Sequence, residues 1–428
     1  MALTVLFMPE SAYGPTNQCI GLGNVLLGRG HRVVFAAESS WRGRLEPYGF
    51  DERLVDLAAP VEGAAEDAGQ FWTEFIADTA PEFRKPTIEQ LSTFIQPTYQ
   101  ALIDGARYCE AQLRSIIDAV RPSVIVEDNV VTFPALMTSP APWVRIVSCN
   151  PLEIPGEGIA PRFSGYPADD RSGWAAYRAE FERTHRAMWT DFNDWVREQG
   201  APPLPDLEFV HTSTAANLYV YPAEADYLNL RPLDGTWHRM DSSVRATDEP
   251  WTRPRSFENG DGGLIYLSLG SLGAADVALM QRLIDLLAKT RHRVIVSMGP
   301  RAEQLTLGAN MIGAAMLPQT SIIPEVDLVI THGGNNTTTE TLHFGKPMIV
   351  LPLFWDQYDN AQRVAELGFG RRLPTYSFSD DEFLEAVDAL LADAVLRERM
   401  RTLGAAIHER GGLRRGADVI ESVGRSRS

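Results

Sequence analysis

The sequence predicts an α/β protein built as two Rossmann-like, doubly wound parallel-sheet domains facing a cleft. Three observations carry that expectation. Short apolar runs of the kind a parallel sheet buries on both faces recur in both halves of the chain, among them Leu3 to Met8, Ser123 to Val126 and Asp327 to Thr331. Helical patterns separate these runs, which gives the βαβ alternation of a doubly wound sheet. At 428 residues the chain is long enough for two domains with full cores.

Composition narrows the function classes. A hydrophobic share of 44% with 22% charged residues is ordinary for a globular protein. The net charge of −17 argues against nucleic acid and against an anionic membrane surface as partners, since both demand a basic patch. Met1 to Phe7 lacks a basic stretch and runs straight into a strand, and no apolar run reaches the ~18 to 20 residues of a membrane span. Cys19, Cys109 and Cys149 form no C-x-x-C pair, which suits a reducing cytoplasm. The eight histidines show no zinc-ligand spacing, so no metal site and no bound cofactor are expected.

In chain order, the strand Leu3 to Met8 is followed by a loop from Pro9 to Gly14 and a helix from about Asn17 to Leu27, which Gly28-Arg29-Gly30 ends. His31 to Ala37 is the next strand. Residues 61 to 117 turn helical and aromatic, with Phe71, Trp72 and Phe75 spaced to share one helix face. The strand Ser123 to Val126 then delivers Glu127-Asp128-Asn129 to its carboxyl end, so two carboxylates stand beside the expected cleft. Trp143 to Val147 is another strand. A long helix from about Ser172 to Gln199 gathers Trp174, Tyr177, Phe181, Trp189, Phe192 and Trp195 on one face, most of them for packing. The expected divisions are a first domain over 1–235, a polar, proline-punctuated linker over 236–260, a second domain over 261–405 and a final helix over 406–428.

The second domain opens with the strand Gly263 to Ser268 and Gly270-Ser271, a helix from Ala274 to Lys289 and the strand Arg293 to Ser297. The stretch from Met316 to Arg363 is the most informative in the chain. After the strand Asp327 to Thr331, His332-Gly333-Gly334 permits a tight turn, and Asn335 to Phe344 reads as a helix stopped at Gly345. Its free first-turn N–H groups and positive dipole end suit a pyrophosphate, with the Thr337 hydroxyl beside them. Glu340, three residues on, shares that face and offers a carboxylate to a ribose diol. Trp355-Asp356-Gln357 falls beyond the strand Met348 to Leu351, where Asp356 and Gln357 offer acceptors and donors to sugar hydroxyls.

Pro318-Gln319, His332-Gly333-Gly334, Thr337, Glu340, Gly345-Lys346-Pro347 and Asp356-Gln357 together resemble the donor motif of family 1 glycosyltransferases, the group of the UDP-sugar and macrolide glycosyltransferases. The resemblance implies a GT-B fold and a nucleotide-sugar donor. It implies diphosphate contacts from His332, Gly334 and Thr337, with Gly333 in the same donor site, Asn336 matching the plant form of the motif and Ser271 a second diphosphate ligand. It further implies Gln319 in the donor site, Glu340 on the ribose and Asp356-Gln357 on the sugar, with Trp355 beside the acceptor. Met316 stands where many relatives place a Trp that stacks on uracil. In the first domain, Gly14-Pro15-Thr16-Asn17-Gln18 and Arg29-Gly30-His31 match the family's spacing, and Pro15 occupies the position of its catalytic His. Pro15, Thr16, Asn17, Phe71, Trp72 and Phe75 are expected around the acceptor, and Asp128 resembles the Asp that orients the family's His.

The expected function is therefore an inverting, metal-independent transfer of a hexose from a UDP-sugar, or alternatively a dTDP-sugar, to a small, largely apolar or aromatic acceptor. The protein would be a cytoplasmic monomer or homodimer, with no nucleic-acid or membrane partner. With Pro15 in the His position, either Asp128 or Glu127 is the base, or the acceptor brings its own nucleophile. A nucleotide-sugar-binding partner protein without turnover is the alternative, and an epimerase of the same fold a third.

Overall fold

The computed structural model describes residues 2–59, 76, 78–245, 250–258, 262–274 and 276–426. Strands β1 (Thr4–Pro9), β2 (Arg32–Glu38), β3 (Asp51–Val55), β4 (Val124–Asp128), β5 (Trp143–Val147), β6 (Ala216–Tyr219) and β7 (Trp237–Arg239) form one parallel sheet in the order β3-β2-β1-β4-β5-β6-β7. A second parallel sheet runs β10-β9-β8-β11-β12-β13, from β8 (Leu264–Ser268), β9 (Arg293–Ser297), β10 (Met311–Ala314), β11 (Leu328–Thr331), β12 (Met348–Val350) and β13 (Gly370–Arg372). Both doubly wound sheets are the ones the sequence predicts. Every residue of β4, β8 and β11 is buried, because helices cover both faces.

Each sheet reverses its winding once. In the first the reversal lies between β1 and β4, in the second between β8 and β11. Loops diverge from such a switch point and leave a crevice at the strands' carboxyl ends. The two crevices face each other, and the site is built there.

Helix bounds differ from expectation in informative ways. Helix α1 spans Tyr13–Gly28, so Pro15, Thr16 and Asn17 lie in its first turns and not in a preceding loop. Proline is tolerated there because first-turn N–H groups have no intrahelical partner. Helix α2 (Gln96–Val120) continues a π-turn at Leu91–Ile95. Helix α3 (Trp174–Glu198) buries Trp174, Tyr177, Phe181 and Phe192 as its spacing predicts, while Trp189 and Trp195 of the same expected face are half-buried. Helix α4 (Val277–Ala288) begins three residues later than expected, capped by Asp276, whose Oδ1 accepts from the Leu279 N–H at 3.0 Å.

The division at residue 235 also shifts, since β7 lies beyond it yet pairs with β6 in the first sheet. After α5 (Asn335–His343), α6 (Gln357–Glu366) and α7 (Asp380–Ala392), helix α8 runs Ala394–Arg410 and ends at Gly411, with φ 60°. The final helix is α9 (Gly412–Arg425), not 406–428. It crosses back to the first domain, where Ala417, Ile420 and Val423 join the core of Val5, Phe7 and Leu22. A Cβ at Gly412 would fall 1.3 Å from the Met240 carbonyl oxygen, so that docking needs glycine. Arg29 pairs with Asp418 at 2.8 Å and Glu421 at 2.9 Å across the same contact.

Candidate functional site

Two cavities meet in the cleft. One, of about 180 Å³, opens at the switch point of the first sheet. Ile76, Phe94 and Leu102 on one side and Val147, Phe354 and Trp355 on the other give it apolar walls. Phe94 reaches it from the π-turn and packs against Phe354, ring centroids 5.4 Å apart. Trp355 holds a left-handed backbone, φ 56°, and packs tilted against Phe163 of the first domain, ring centroids 4.3 Å apart. A bulky residue held so marks a position where the surroundings outweigh local strain. Into these walls project the carboxyl groups of Glu10, Asp128, Glu153 and Asp356, with Arg145 the cation among them.

The second cavity, of about 240 Å³, opens at the switch point of the second sheet. Gln319, His332, Gly334, Asn336 and Thr337 line it, as the donor motif implies. Helix α5 starts here, its N-cap Gly334 supplies no side-chain cap, and its first turn carries no acidic residue. Helix α1 starts on the opposite wall with Tyr13 and Gly14, likewise without a side-chain cap or a first-turn acid. The Glu10 carboxylate already accepts from the Ala12 N–H at 3.0 Å at the start of α1, so the α5 start is the open positive helix end on this cavity, the field an anion requires. The two cavities share Pro15, Ser148, Cys149 and Asp356.

The His332 ring packs against glycines on both sides. A Cβ at Gly270, φ 74°, would come within 2.6 Å of its Cε1, and one at Gly334 within 2.6 Å of its Nε2. Burial pushes its pKa down to about 4, so it is neutral and meets a ligand as a hydrogen-bonding ring. Asp356 accepts from the Asn150 N–H at 2.8 Å and the Asn360 amide at 3.3 Å, and burial pushes its carboxyl up to about 7. Asp128 is pushed up to about 7 for the same reason, its Oδ2 buried with no hydrogen-bond partner.

Several expected site residues are placed elsewhere. Glu127, one residue from Asp128, lines neither cavity because successive strand residues point to opposite faces. It is fully buried near Arg145, and burial pushes it up to about 8. Thr16 also faces away, its hydroxyl donating to the Glu10 carbonyl at 3.1 Å, while Asn17 lines the second cavity and not the first. Gly333, φ 88°, packs on β12, where a Cβ would meet Val350 at 2.5 Å, and lines neither cavity. Glu340 is fully buried one layer behind the second cavity. Its Oε1 accepts from Arg245 Nη1 at 3.0 Å and its Oε2 from Gln319 Nε2 at 2.6 Å, so these two side chains stand between it and the cavity. Gln357 turns its amide oxygen inward to the N–H groups of Leu353 at 3.0 Å and Phe354 at 3.3 Å, and lines the first cavity. Phe71, Trp72 and Phe75 and the Ser271 side chain lie outside the described residues.

Sequence reasoning missed Glu10, Arg145, Cys149, Glu153 and Arg245. Glu10 had a readable signal, since it follows β1 at the switch point; Arg245 comes from a polar connection with no motif. Among the described residues no group of three or more His, Cys, Asp or Glu is placed to hold a metal ion. No described helix is long and apolar enough to cross a membrane.

Residues 251–413 match the family model described as UDP-glucoronosyl and UDP-glucosyl transferase. The chain is 25% identical over 426 residues to the oleandomycin glycosyltransferase of Streptomyces antibioticus, spanning 96% of this chain and 89% of the relative. It is 22% identical over 430 residues to the demethyllactenocin mycarosyltransferase of Streptomyces fradiae, spanning 98% and 86%. The solved glycotransferase of kitacinnamycin superposes with a TM-score of 0.70 at 21% identity, covering 99% of each chain.

Proposed function

Because this chain is a family 1 glycosyltransferase with the GT-B fold, we propose that it transfers a hexose from a UDP-sugar, or a dTDP-sugar, to an apolar natural-product acceptor, inverting the anomeric centre. The observation that carries this reading is the pair of cavities that share Pro15, Ser148, Cys149 and Asp356. An anion-seeking cavity abutting an apolar one suits a nucleotide diphosphate beside a hydrophobic aglycone. The relatives named for macrolide antibiotics point to the same acceptor class.

The diphosphate lies against the start of α5, with Thr337, His332 and Asn336 donating around it. Charge developing on the departing diphosphate is stabilised there by preorganised N–H groups, without a divalent cation. Asp356 borders both cavities and takes a sugar hydroxyl. The ribose lies nearest Gln319, and reaches Glu340 once Arg245 has moved aside. Asp128 is the base: it lines the acceptor cavity beside Pro15, and its pKa near neutrality matches that task. The enzyme is cytoplasmic, acts as a monomer or homodimer and holds no resident cofactor.

Pro15 in the His position also favours a second reading, a nucleotide-sugar-binding partner that does not turn over. Thermal-shift screening of UDP- and dTDP-sugars, followed by mass spectrometry of acceptor mixtures with the best binder, separates the two. Transfer of a hexose mass to an apolar acceptor is expected. Tight donor binding with neither transfer nor hydrolysis would establish the partner instead.

A further inference from the structure

Glu10 leaves β1 where Asp128 ends β4, and the two strands run in register with Pro9 opposite Asp128. The Glu10 N–H donates to the Asp128 carbonyl at 2.8 Å, so the residues emerge side by side, and both line the acceptor cavity. Their carboxyl groups are treated differently. That of Glu10 accepts from the Ala12 N–H at 3.0 Å and the Ser11 hydroxyl at 3.1 Å. Ala12 is the N-cap of α1 and supplies no side-chain cap, so the Glu10 carboxylate lies at the positive end of a 16-residue helix. Asp128, 3% exposed, has a buried Oδ2 that accepts nothing.

Resting on the reading of Asp128 as the base, we propose that Glu10 is its positioning residue: the two form a carboxyl pair in which Glu10 keeps the charge and Asp128 takes the acceptor's proton. As the acceptor oxygen bonds to the anomeric carbon, that carbon's bond to the diphosphate breaks with its electron pair. The hydroxyl proton passes to the Asp128 carboxylate. An aspartate alone is a weak base near neutral pH; a fixed negative neighbour strengthens it, since like charges resist ionising together. The groups that act on Asp128 from the surrounding elements are Glu10 after β1, the Cys19 thiol of α1, Arg145 on β5 and Ser148 and Cys149 after it, with Glu127 on the opposite face of β4. Burial raises Asp128 most, Ser148 and Arg145 lower it, and the Glu10 charge opposes them. Burial raises Glu10 too and Glu38 adds to the rise, while the hydrogen bonds from Ala12 and Ser11 lower it and favour its charged form.

The test is the pH dependence of kcat/KM for the wild type, Glu10→Gln and Asp128→Asn, with nucleotide affinity measured alongside. Glu10→Gln keeps an oxygen for the Ala12 N–H while removing the charge. Its acidic limb is expected to move down by about half a pH unit or more. Its kcat should fall severalfold, with the acceptor KM and nucleotide Kd near the wild type. Loss of packing alone would leave the limb in place. If Glu10→Gln is too unstable to assay, Glu10→Asp carries the test, because drawing the charge back by one methylene moves the limb in the same direction. An unmoved limb with Asp128→Asn inactive overturns the pair and leaves Asp128 as base. Full activity in Asp128→Asn overturns both.

Discussion

Replacing Glu340 by Ala removes a fully buried carboxylate that accepts from Arg245 at 3.0 Å and from Gln319 at 2.6 Å. Both bonds are charge-assisted, and hydrogen bonds to a charged group contribute about 1.5–3 kcal/mol each. Removing one member of a buried ion pair costs about 3–5 kcal/mol, because the other loses its counter-charge. The Arg245 side chain keeps 11% exposure, so water recovers part of that loss and about 3 kcal/mol is expected. Whole-domain stability is about 5–15 kcal/mol, so the urea midpoint should fall visibly. The proposed ribose contact adds a second readout. Losing a hydrogen bond to a carboxylate weakens nucleotide binding by about 1–3 kcal/mol, or about 5- to 150-fold in Kd. Calorimetry with UDP and dTDP reads this directly, and a double-mutant cycle with Arg245→Ala measures the coupling of the pair. A variant with a lowered urea midpoint and unchanged affinity for both nucleotides would refute the ribose contact. Wild-type values of both would refute the energetic argument as well.

Asp128→Asn should lower kcat by about 10²-fold or more while calorimetric donor affinity stays intact. Glu127→Gln should leave turnover within about threefold, because Glu127 lines neither cavity. Its signature is in stability: with a folded pKa of about 8, above the unfolded value of about 4.3, the native chain binds the extra proton. Its contribution is full below pH ~4 and lost as pH rises to ~8, so the variant's melting temperature should fall less than the wild type's between pH 5 and 8. Asp359 accepts from the N–H groups of Phe163 at 2.6 Å and Gly165 at 2.8 Å, tying α6 to the first domain. Asp359→Ala orphans both, and urea unfolding should show a loss of about 2–5 kcal/mol. EDTA should leave transfer unchanged; a requirement for added Mg²⁺ or Mn²⁺ would contradict the helix-end account of leaving-group stabilisation.

The sequence by itself determined the central strands of both sheets, because a strand buried on two faces must be apolar throughout, whereas the partly exposed strands β3, β7, β10 and β13 carry no such run and only the fold shows them. It also placed His332, Gly334 and Thr337 side by side, since a strand, a glycine turn and a helix start are contiguous in the chain and fix their own geometry, and the resemblance to the donor motif added Asn336 and Gln319, which line the same cavity. What it left undecided depends on elements far apart in sequence. Glu340 shares a helix face with Thr337, as its spacing requires, yet Arg245 and Gln319 from distant segments cover it. Glu127 and Asp128 are interchangeable as letters; the pleat sends one to the core beside Arg145 and the other to the acceptor cavity. Only the parallel pairing of β1 with β4 brings Glu10 to Asp128 across more than a hundred residues. Periodicity and motif spacing record what a residue does with its chain neighbours, whereas burial, charge coupling and the partners of a carboxylate are set by whichever segments the fold packs against it.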